Sequence, residues 1–389
     1  MNNYDLYLPT HIIFGKDRIS ELHEVLSSFG KNVLLTYGGG SIKKIGLYDK
    51  VIAELKTAGK NVFELNGIEP NPKISSVREG VKICKNEHID VILAVGGGSV
   101  IDCSKNIAAG AYYDGDPWDL VLDSSKVGRA VPIVTVLTLS ATGSEYDNSA
   151  VISNAETNEK LPIFGNNLNP AVSFLDPQYT FSVSKNQTAA GAVDCMSHTF
   201  ESYLVKKGTL LTDALCEGML KTVIEYTPKA LKNPEDYEAR ANLMQACSLG
   251  CNGILAIGRD TSAWVCHAIE HELSAYYDIT HGVGLAIVTP SFMRYALNED
   301  TVDRFAQYGE RVFGIKKATP METANEAIIK TEEFFKSIGM PSKLRDLGIS
   351  DEHFDDMATH IEEHWFAPLS IAIRPVDHKG IVEILRNAL

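Results

Sequence analysis

The sequence predicts an α/β N-terminal half followed by an all-helical C-terminal half. Short apolar runs alternate with amphipathic stretches up to about residue 180, which is typical of βαβ units with a mostly parallel sheet. Beyond that point almost every segment has helical periodicity. A chain of 389 residues also exceeds the size at which one hydrophobic core usually stops growing. We therefore expect two domains, residues 1–180 and residues 181–389.

In the first half, runs rich in β-branched and apolar residues predict five strands, at 32–37, 61–65, 89–95, 131–138 and 171–175. Several of these runs are continuously apolar, which indicates strands buried on both faces. The stretches between them predict helices at 45–58, 73–87 and 99–111.

In the second half, Ser184 with Gln187 three residues later forms a capping-box pattern, which predicts a helix start. Helical periodicity then predicts nine helices, at 186–205, 211–227, 235–256, 260–276, 283–297, 299–312, 320–338, 351–366 and 378–388.

Composition excludes several classes of protein. The net charge of −14 argues against nucleic acid or an anionic membrane as the main partner. The sequence has neither an apolar run of about 20 residues, the length that spans a bilayer, nor the apolar core of a signal peptide. The seven cysteines contain no C-x-x-C pair, which predicts reduced thiols in a reducing compartment. We expect a cytoplasmic protein that acts on a small molecule.

A glycine turn follows the third predicted strand and consists of Gly96, Gly97, Gly98 and Ser99. Backbone N–H groups and the helix dipole at such a turn favour a phosphate, and a Cβ would prevent close approach of a pyrophosphate. The strict G-x-G-x-x-G pattern is absent, since Ile101 takes the place of the third glycine. The turn predicts phosphate binding, with a ligand-free tight βα turn as the alternative.

A second turn, 38–41, ends the first predicted strand. Proteins selective for NAD commonly place an acidic residue near such a strand end to bind the ribose 2′-hydroxyl. Here the first acidic residue after the strand is Asp49, which is too far along the next helix. The turn therefore favours NADP(H), whose 2′-phosphate would be accepted by Gly38, Gly39, Ser41 and the nearby Lys43 and Lys44. The alternative is that both lysines are solvated surface residues.

Four side chains suggest a metal site. Asp194 and His198 are four residues apart, on one face of a predicted helix, and His281 begins an apolar run that predicts a buried position. One carboxylate with neutral imidazoles suits Fe, Zn, Co or Ni better than Mg or Ca. With three imidazoles the loaded site would be net positive, which favours an alkoxide ligand. The predicted ligands are Asp194, His198, His267 and His281, and the predicted class is a metal-dependent enzyme.

A zinc peptidase is the competing interpretation. Residues 267–271 match the H-x-x-E-H pattern, in which the glutamate is the general base. Residues 360–364 match it too, within an acidic stretch typical of a solvated helix face. A peptidase would also leave both glycine turns without a role, so we favour the dinucleotide interpretation.

The stretch 184–203 resembles the signature of the iron-dependent (group III) alcohol dehydrogenase family. The recurring residues of that signature are found here as Gly191, Asp194, His198, Glu201 and Tyr203. A second signature resembles His267, His271 and His281 followed by Gly282 and Gly284. With 96–99 and 142–145, the likeness covers essentially the whole chain. Within the family, the chain is similar to the NADPH-dependent butanol dehydrogenase branch.

The resemblance implies a dehydroquinate-synthase-like architecture. An α/β dinucleotide-binding domain (1–180) would precede an all-helical metal and substrate domain (181–389), with a cleft between them. The implied reaction interconverts primary alcohols and aldehydes, such as butanol and butanal, by hydride transfer with NADP(H). The implied metal is one divalent ion, Fe²⁺ or Zn²⁺, and the implied assembly is at least a homodimer.

The resemblance also assigns residues. His271 would lie near the nicotinamide rather than on the metal, and it is the candidate catalytic proton relay. The residues implied for the pyrophosphate and nicotinamide are Gly96, Gly97, Gly98, Ser99 and Asp102. Those implied for the rest of the cofactor groove are Thr138, Leu139, Thr142, Val151 and Lys160.

Two residues depart from the family pattern. Glu270 stands where the family often has glycine, and Asp147 stands where several relatives have threonine. Neither lies at a predicted ligand position, so we expect effects on the pocket wall alone. Trp264, one helical turn before His267, could line the pocket or pack in the core.

Two rivals stay open. Dehydroquinate-synthase-like and glycerol-dehydrogenase-like enzymes use the same architecture for other reactions, although the aspartate in the ligand set favours an alcohol dehydrogenase. A non-enzymatic dinucleotide sensor would bind the cofactor tightly and consume no aldehyde.

Overall fold

The computed structural model describes residues 1–389. Contacts divide the chain into two compact units: an α/β unit, Tyr7–Val183 with Pro234–Asn252, and a helical unit, Met1–Leu6 with Ser184–Asn233 and Gly253–Leu389. Two short segments, 1–6 and 234–252, thus belong to a different unit from their neighbours in sequence, which no sequence pattern indicated. The division into domains 1–180 and 181–389 stays a prediction.

The chain contains eight strands: β1 (His11–Phe14), β2 (Asn32–Tyr37), β3 (Asn61–Leu65), β4 (Val91–Gly96), β5 (Ile133–Leu137), β6 (Ser149–Asn154), β7 (Glu159–Phe164) and β8 (Val172–Leu175). It also contains fifteen α-helices: α1 (Leu22–Ser27), α2 (Ser41–Lys44), α3 (Leu47–Thr57), α4 (Ile74–Asn86), α5 (Gly98–Gly110), α6 (Trp118–Leu122), α7 (Lys185–Tyr203), α8 (Leu210–Lys232), α9 (Tyr237–Leu249), α10 (Val265–Tyr277), α11 (His281–Ala296), α12 (Val302–Phe313), α13 (Pro320–Ser337), α14 (Phe354–His364) and α15 (His378–Ala388).

The α/β unit is built on a six-stranded parallel sheet with the order β1-β8-β5-β4-β2-β3. The chain passes from β2 to β3 on one side and then to β4 on the other, so β2 and β4 flank a topological switch point. Ligands of open α/β sheets bind beyond the carboxyl ends of the strands at such a point. The two predicted glycine turns follow β2 and β4, and therefore lie there.

Alternating side chains of the central strands enter two separate apolar clusters. Leu34 and Ile92 face the cluster that contains residues of α4 and α5, whereas Leu35 and Leu93 face the cluster that contains residues of α1 and α3. All residues of β4 and β5 are buried. This is the arrangement that continuous apolar runs predict, because such strands are covered by helices on both faces.

The helical unit is organised around α7, in which every residue from Thr188 to Tyr203 is buried. The helix begins as predicted, since the Ser184 side chain accepts a hydrogen bond from the Gln187 N–H at 3.2 Å. Gly282 of α11 packs directly against α7: a Cβ at this position would lie 2.0 Å from the carbonyl oxygen of Ala190. The glycine after His281 therefore permits the close approach of the two helices.

The predicted fold class is confirmed, with a parallel α/β unit and no strand after β8. The five predicted strands and every predicted helix are present, with ends that differ by up to five residues, except that α9 stops seven residues before its predicted end. Three strands (β1, β6 and β7) and three short helices (α1, α2 and α6) were not predicted. No disulfide bond forms among the seven cysteines, as expected. None of the helices combines the length and hydropathy that a membrane span requires.

The contact between α7 and α11 predicts a stability effect. We expect Gly282→Ala to lower the free energy of unfolding by about 1–3 kcal/mol, since the added methyl group overpacks a helix interface. Gly218→Ala is the matched control, because Gly218 is an exposed residue of α8 and a Cβ added there would have no atom within 4 Å. The free energy of unfolding of this control should rise by about 0.5–1 kcal/mol, because alanine is favoured over glycine within a helix. Urea unfolding measures both, and equal stabilities for Gly282→Ala and the wild type would contradict the prediction.

Candidate active site

Three helices of the helical unit bring imidazole nitrogens to one carboxylate oxygen. On α7, Asp194 Oδ1 lies 3.3 Å from His198 Nε2, one helical turn away. The same oxygen lies 3.9 Å from His267 Nε2 of α10 and 3.5 Å from His281 Nε2 at the start of α11. The rings of His198 and His267 stack at 4.8 Å. All four predicted metal ligands therefore converge in space.

Two of these imidazoles, those of His198 and His267, are buried with ring nitrogens that have no hydrogen-bond partner. His198 Nδ1 and both ring nitrogens of His267 are inaccessible to solvent and accept or donate no hydrogen bond. Burial, together with the neighbouring His267 and His281, holds the pKa of His198 well below its usual range. Buried polar atoms of this kind are costly unless something pairs with them. Neutral imidazoles with one carboxylate form an N/O donor set that fits a divalent Fe, Zn, Co or Ni ion.

Glu201, a residue of the first signature, stabilises the helix that carries His267. Its Oε1 accepts hydrogen bonds from the backbone N–H groups of Cys266 at 2.7 Å and His267 at 3.3 Å. These donors lie in the first turn of α10, where no intrahelical acceptor exists and a negative charge is favourable. The same oxygen lies 3.5 Å from His267 Nδ1. Sequence analysis gave Glu201 no role beyond the signature, although it lies seven residues after Asp194, on the same helix face.

Aromatic rings surround the histidine cluster. Trp264, which adopts a left-handed backbone conformation with φ of 56°, lies edge-on to His267 at 5.0 Å and near His198 at 5.9 Å. It therefore contacts the cluster, as expected if Trp264 lines the pocket, which is one of its two predicted roles. Trp365 lies edge-on to His271 at 5.2 Å and donates a hydrogen bond from its indole to the Ala263 carbonyl.

His271 lies beside the cluster rather than within it. It is buried on α10, with its ring 5.6 Å from that of His281 and 6.4 Å from that of His267. Glu270, the departure from the family pattern, accepts a hydrogen bond from His281 Nδ1. Sequence analysis placed Glu270 in the pocket wall and missed this contact with a candidate ligand.

In the α/β unit, the turn after β4 is tightly packed around its glycines. A Cβ at Gly96 would lie 2.5 Å from a methyl group of Val100, and one at Gly98 would lie 2.4 Å from Thr142 Oγ1. Gly98 is the first residue of α5, so the N–H groups of Gly98 and Ser99 point out of the helix start. The turn can therefore offer donors to an anion at the switch point.

Two buried side chains of α5 attach this helix to β6. Asp102 accepts hydrogen bonds from Ser144 Oγ at 2.5 Å and from the Val151 N–H at 3.0 Å. Burial raises the pKa of Asp102 to about 6. One turn later, Lys105 Nζ donates to Asp147 Oδ1 at 2.6 Å. Asp147, the second departure from the family pattern, thus neutralises a buried cation, which the sequence did not indicate.

The remaining predicted cofactor residues lie around this turn and on the adjacent hairpin. The Thr138 N–H donates to the Gly96 carbonyl at 3.0 Å, and Leu139 Cβ would lie 3.2 Å from a Cβ at Gly97. Lys160 is buried on β7, paired with Ser153 of β6. Its place in the cofactor groove stays a prediction.

The turn after β2 is more open. A Cβ at Gly39 would meet no atom within 4 Å, and Ser41 begins α2. Lys43 lies over the rings of Tyr37 and Tyr48, at 5.0 and 4.6 Å. Sequence analysis found no nearby acidic residue, yet Glu64 of the neighbouring strand β3 accepts hydrogen bonds from both tyrosine hydroxyls, at 2.6 and 2.8 Å.

Glu145, between the Thr142 segment and β6, is a buried carboxyl with an unusual pKa. Ser248 Oγ of α9 donates a hydrogen bond to it, and its backbone carbonyl accepts one from Ser173 Oγ at 2.6 Å. Burial raises the pKa of Glu145 to about 7, although the hydrogen bond from Ser248 opposes the shift. The folded protein therefore retains a proton that the unfolded chain loses above its ordinary value of 4.5.

This proton predicts a pH dependence of stability. Since the folded state binds the proton more tightly, Glu145 stabilises the fold fully below pH 4.5, and this contribution is lost as the pH rises to about 7. The side chain in Glu145→Gln cannot ionise, so it is not subject to this loss of stability. The difference between the urea midpoints of the variant and the wild type should therefore be more in favour of the variant near pH 8 than near pH 5. At about 1.4 kcal/mol per pKa unit, the difference is a few kcal/mol at most. A difference between the two proteins that does not change with pH would contradict the assignment.

Comparisons with known proteins agree with the predicted family. The profile described as iron-containing alcohol dehydrogenase matches residues 9–177. A second profile, the C-terminal part of the Fe-containing alcohol dehydrogenase family, matches residues 188–389.

Similar proteins include the NADH-dependent butanol dehydrogenase A of Clostridium acetobutylicum, which is 50% identical with full coverage of both chains. The NADPH-dependent aldehyde reductase YqhD of Escherichia coli is 39% identical, with 95% of each chain covered. Among solved structures, the NADH-dependent butanol dehydrogenase A of Thermotoga maritima has a TM-score of 0.95 and 38% identity, covering 100% of this chain and 99% of the other.

Proposed function

This chain belongs to the iron-containing alcohol dehydrogenase family, and from that premise we propose that it interconverts primary alcohols and aldehydes of the butanol and butanal type. We further propose NADP(H) as its nicotinamide cofactor and Fe²⁺ or Zn²⁺ as its divalent ion. The domain roles proposed are dinucleotide binding for 1–180 and metal and substrate binding for 181–389. The observation that carries the proposal is the convergence of three imidazole Nε2 atoms on Asp194 Oδ1.

The proposed metal ligands are Asp194, His198, His267 and His281. When bound, the cation supplies a Lewis acid for the alcohol or carbonyl oxygen, and the nicotinamide supplies or accepts the hydride. The imidazoles are suited to ligation because burial keeps His198 neutral. Glu201 fixes the first turn of α10 and thereby the direction of His267. The rings of Trp264 and Trp365 lie edge-on to His267 and His271 and would limit the access of water to the cluster.

His271 is the proposed proton carrier. Its ring is buried 5.6 Å from the His281 ring, close to the candidate ligands. An alcohol loses a proton when it is oxidised to an aldehyde, and a histidine can carry that proton near neutral pH. Every other histidine or acidic residue next to the cluster already has a proposed role, either as a ligand or as the partner of a ligand.

The proposed cofactor contacts follow the sequence assignment. Gly96, Gly97, Gly98, Ser99 and Asp102 would hold the pyrophosphate and nicotinamide side, with Thr138, Leu139, Thr142, Val151 and Lys160 completing the groove. Support comes from the N–H groups at the start of α5 and from the packing of Gly98 against Thr142. Gly38, Gly39 and Ser41 would accept the 2′-phosphate, with support from the open space at Gly39.

The alternative cofactor is NAD(H). The Glu64 carboxylate near this turn favours it, because an acidic group suits a ribose 2′-hydroxyl. The butanol dehydrogenase of Clostridium acetobutylicum is named as NADH-dependent, whereas YqhD is named as NADPH-dependent.

We also propose a cytoplasmic homodimer. The seven cysteines without a disulfide bond fit a reducing compartment. The dimer rests on the family resemblance, and light scattering of the purified protein tests it.

Reduction of butanal, followed by the loss of reduced-nicotinamide absorbance, tests the reaction. We expect turnover with metal-loaded protein and none after chelation, with recovery on adding Fe²⁺ or Zn²⁺. Tight cofactor binding without aldehyde consumption would instead support a dinucleotide sensor.

Two variants distinguish a metal ligand from a proton carrier. Asp194→Ala should lose the bound metal and all turnover above background. His271→Ala should retain one metal ion per chain, while its rate falls by about 10²–10⁴-fold, the range for a positioned proton-transfer group. Metal content and single-turnover rates measure both. An active, metal-free Asp194→Ala protein would refute the ligand assignment, and loss of metal from His271→Ala would make that residue a ligand.

The cofactor preference depends on the turn after β2. Gly39→Asp should lower kcat/KM for NADPH by about tenfold or more, because like charges brought together cost about a few kcal/mol. The rate with NADH should fall less or rise. Gly39→Ala is the control, since it adds no charge and meets no neighbour. An unchanged ratio of the two kcat/KM values in Gly39→Asp would show that this turn does not bind the 2′-phosphate.

A further inference from the structure

Glu270 has a buried carboxylate whose two oxygens are both engaged. Its side chain is fully buried on α10. Oε1 accepts a hydrogen bond from Ser274 Oγ, one turn later on the same helix, and Oε2 accepts one from His281 Nδ1 at the start of α11. The carboxylate therefore links α10 to the imidazole of α11.

The glycine pattern of α11 provides the space for this carboxylate. A Cβ at Gly284 would lie 2.7 Å from Glu270 Cγ and 3.0 Å from its Oε1. Contacts of 3.0 Å or less leave no room for a side chain without displacement of the carboxylate. Gly284, the second glycine of the signature, thus allows Glu270 to reach His281.

Glu270 contacts the ring nitrogen opposite the one that faces Asp194. His281 Nε2 lies 3.5 Å from Asp194 Oδ1, whereas Nδ1 is bonded to Glu270. Glu270, His271 and His281 also form a cluster of possible ligand atoms. However, the two nitrogens of an imidazole point in different directions, so a cation bound at Nε2 beside Asp194 cannot also be held at Nδ1. Glu270 is therefore placed behind the ring, as a partner of the ligand.

We infer that Glu270 is a positioning residue, which holds His281 in the orientation and tautomer that present Nε2 to the metal. With its proton on Nδ1 and donated to Glu270, the imidazole has its lone pair on Nε2, directed toward Asp194. A carboxylate behind a ligating histidine also increases the basicity of that ligand. The inference rests on the proposed ligand set and assigns a function to the residue that departs from the family pattern.

Affinity for Zn²⁺ alone tests the inference. Full-length protein is stripped with a chelator and titrated with Zn²⁺ against a chromogenic competitor at one fixed pH. Glu270→Gln should still bind one ion per chain, with a Kd weakened about 10–100-fold, the usual effect of removing an outer-shell partner. Glu272→Gln is the matched control, because this carboxylate lies on the same helix and bonds to His360 instead, at 2.7 Å. Its Kd should be unchanged.

Gly284→Ala provides a second variant that leaves Glu270 and all four candidate ligands intact. Its methyl group should displace the carboxylate and weaken Zn²⁺ binding in the same direction, so the inference remains testable if Glu270→Gln does not fold. A wild-type Kd in both variants would overturn the positioning role. Complete loss of Zn²⁺ in Glu270→Gln, as expected for Asp194→Ala, would overturn it by making Glu270 a ligand. Failure of the ligand set itself would be distinct, since Asp194→Ala would then bind Zn²⁺ as well as wild type.

Discussion

The close packing of α7 against α11 is the constraint on which the candidate metal site depends. His281 is the first residue of α11, and the following glycine contacts the carbonyl of Ala190 with no room for a methyl group. This contact brings the His281 imidazole, at the start of α11, to the Asp194 carboxylate on α7. Three imidazoles then meet one carboxylate in a buried space. A single protonated histidine could pair with Asp194, but buried ring nitrogens of His198 and His267 would still lack hydrogen-bond partners, and burial disfavours the charged form of His198. The proposed divalent cation would pair with the Asp194 carboxylate and with these imidazoles together.

The sequence predicted the candidate ligands because their spacing follows helix geometry. Asp194 and His198 are one turn apart on one helix, so no knowledge of tertiary structure was needed to pair them. The outer carboxylates, Glu201 and Glu270, which contact candidate ligands or their helix from outside the ligand set, were harder to identify. Glu201 acts on backbone donors of α10, and such a contact has no sequence pattern. Glu270 was considered as the base of a peptidase pattern and as a departure from the family pattern at the pocket wall, yet its partner is His281, eleven residues away across a helix–helix junction.

The fold was predictable wherever strands were long and apolar. β2 has the predicted bounds, because a buried parallel strand is a continuous apolar run. β3 also has the predicted bounds, although it is an edge strand in which only Leu65 is buried. β1 was missed because only one of its four residues, Ile13, is buried, so it shows no apolar run like that of β8. The β6–β7 hairpin was missed because neither strand is a continuous apolar run, and β7 contains Pro162, a residue that sheets tolerate at an edge strand such as this one. The buried ion pair of Lys105 with Asp147 depends on that hairpin and was missed with it.

The outer carboxylates change the charge balance that the sequence indicated. Three imidazoles, one aspartate and a divalent cation give a net positive site, which was the expectation from the ligands alone. Glu270 lies in direct contact with the ring of the proposed ligand His281, where an ionised carboxylate would offset that excess charge at close range. Each added negative charge should strengthen retention of the cation while it reduces the polarising power left for the substrate. A relative with glycine at this position lacks that compensation. Under the proposed ligand set, glutamate in place of glycine at this site should therefore exchange some Lewis acidity for metal affinity, while the ligands themselves do not change.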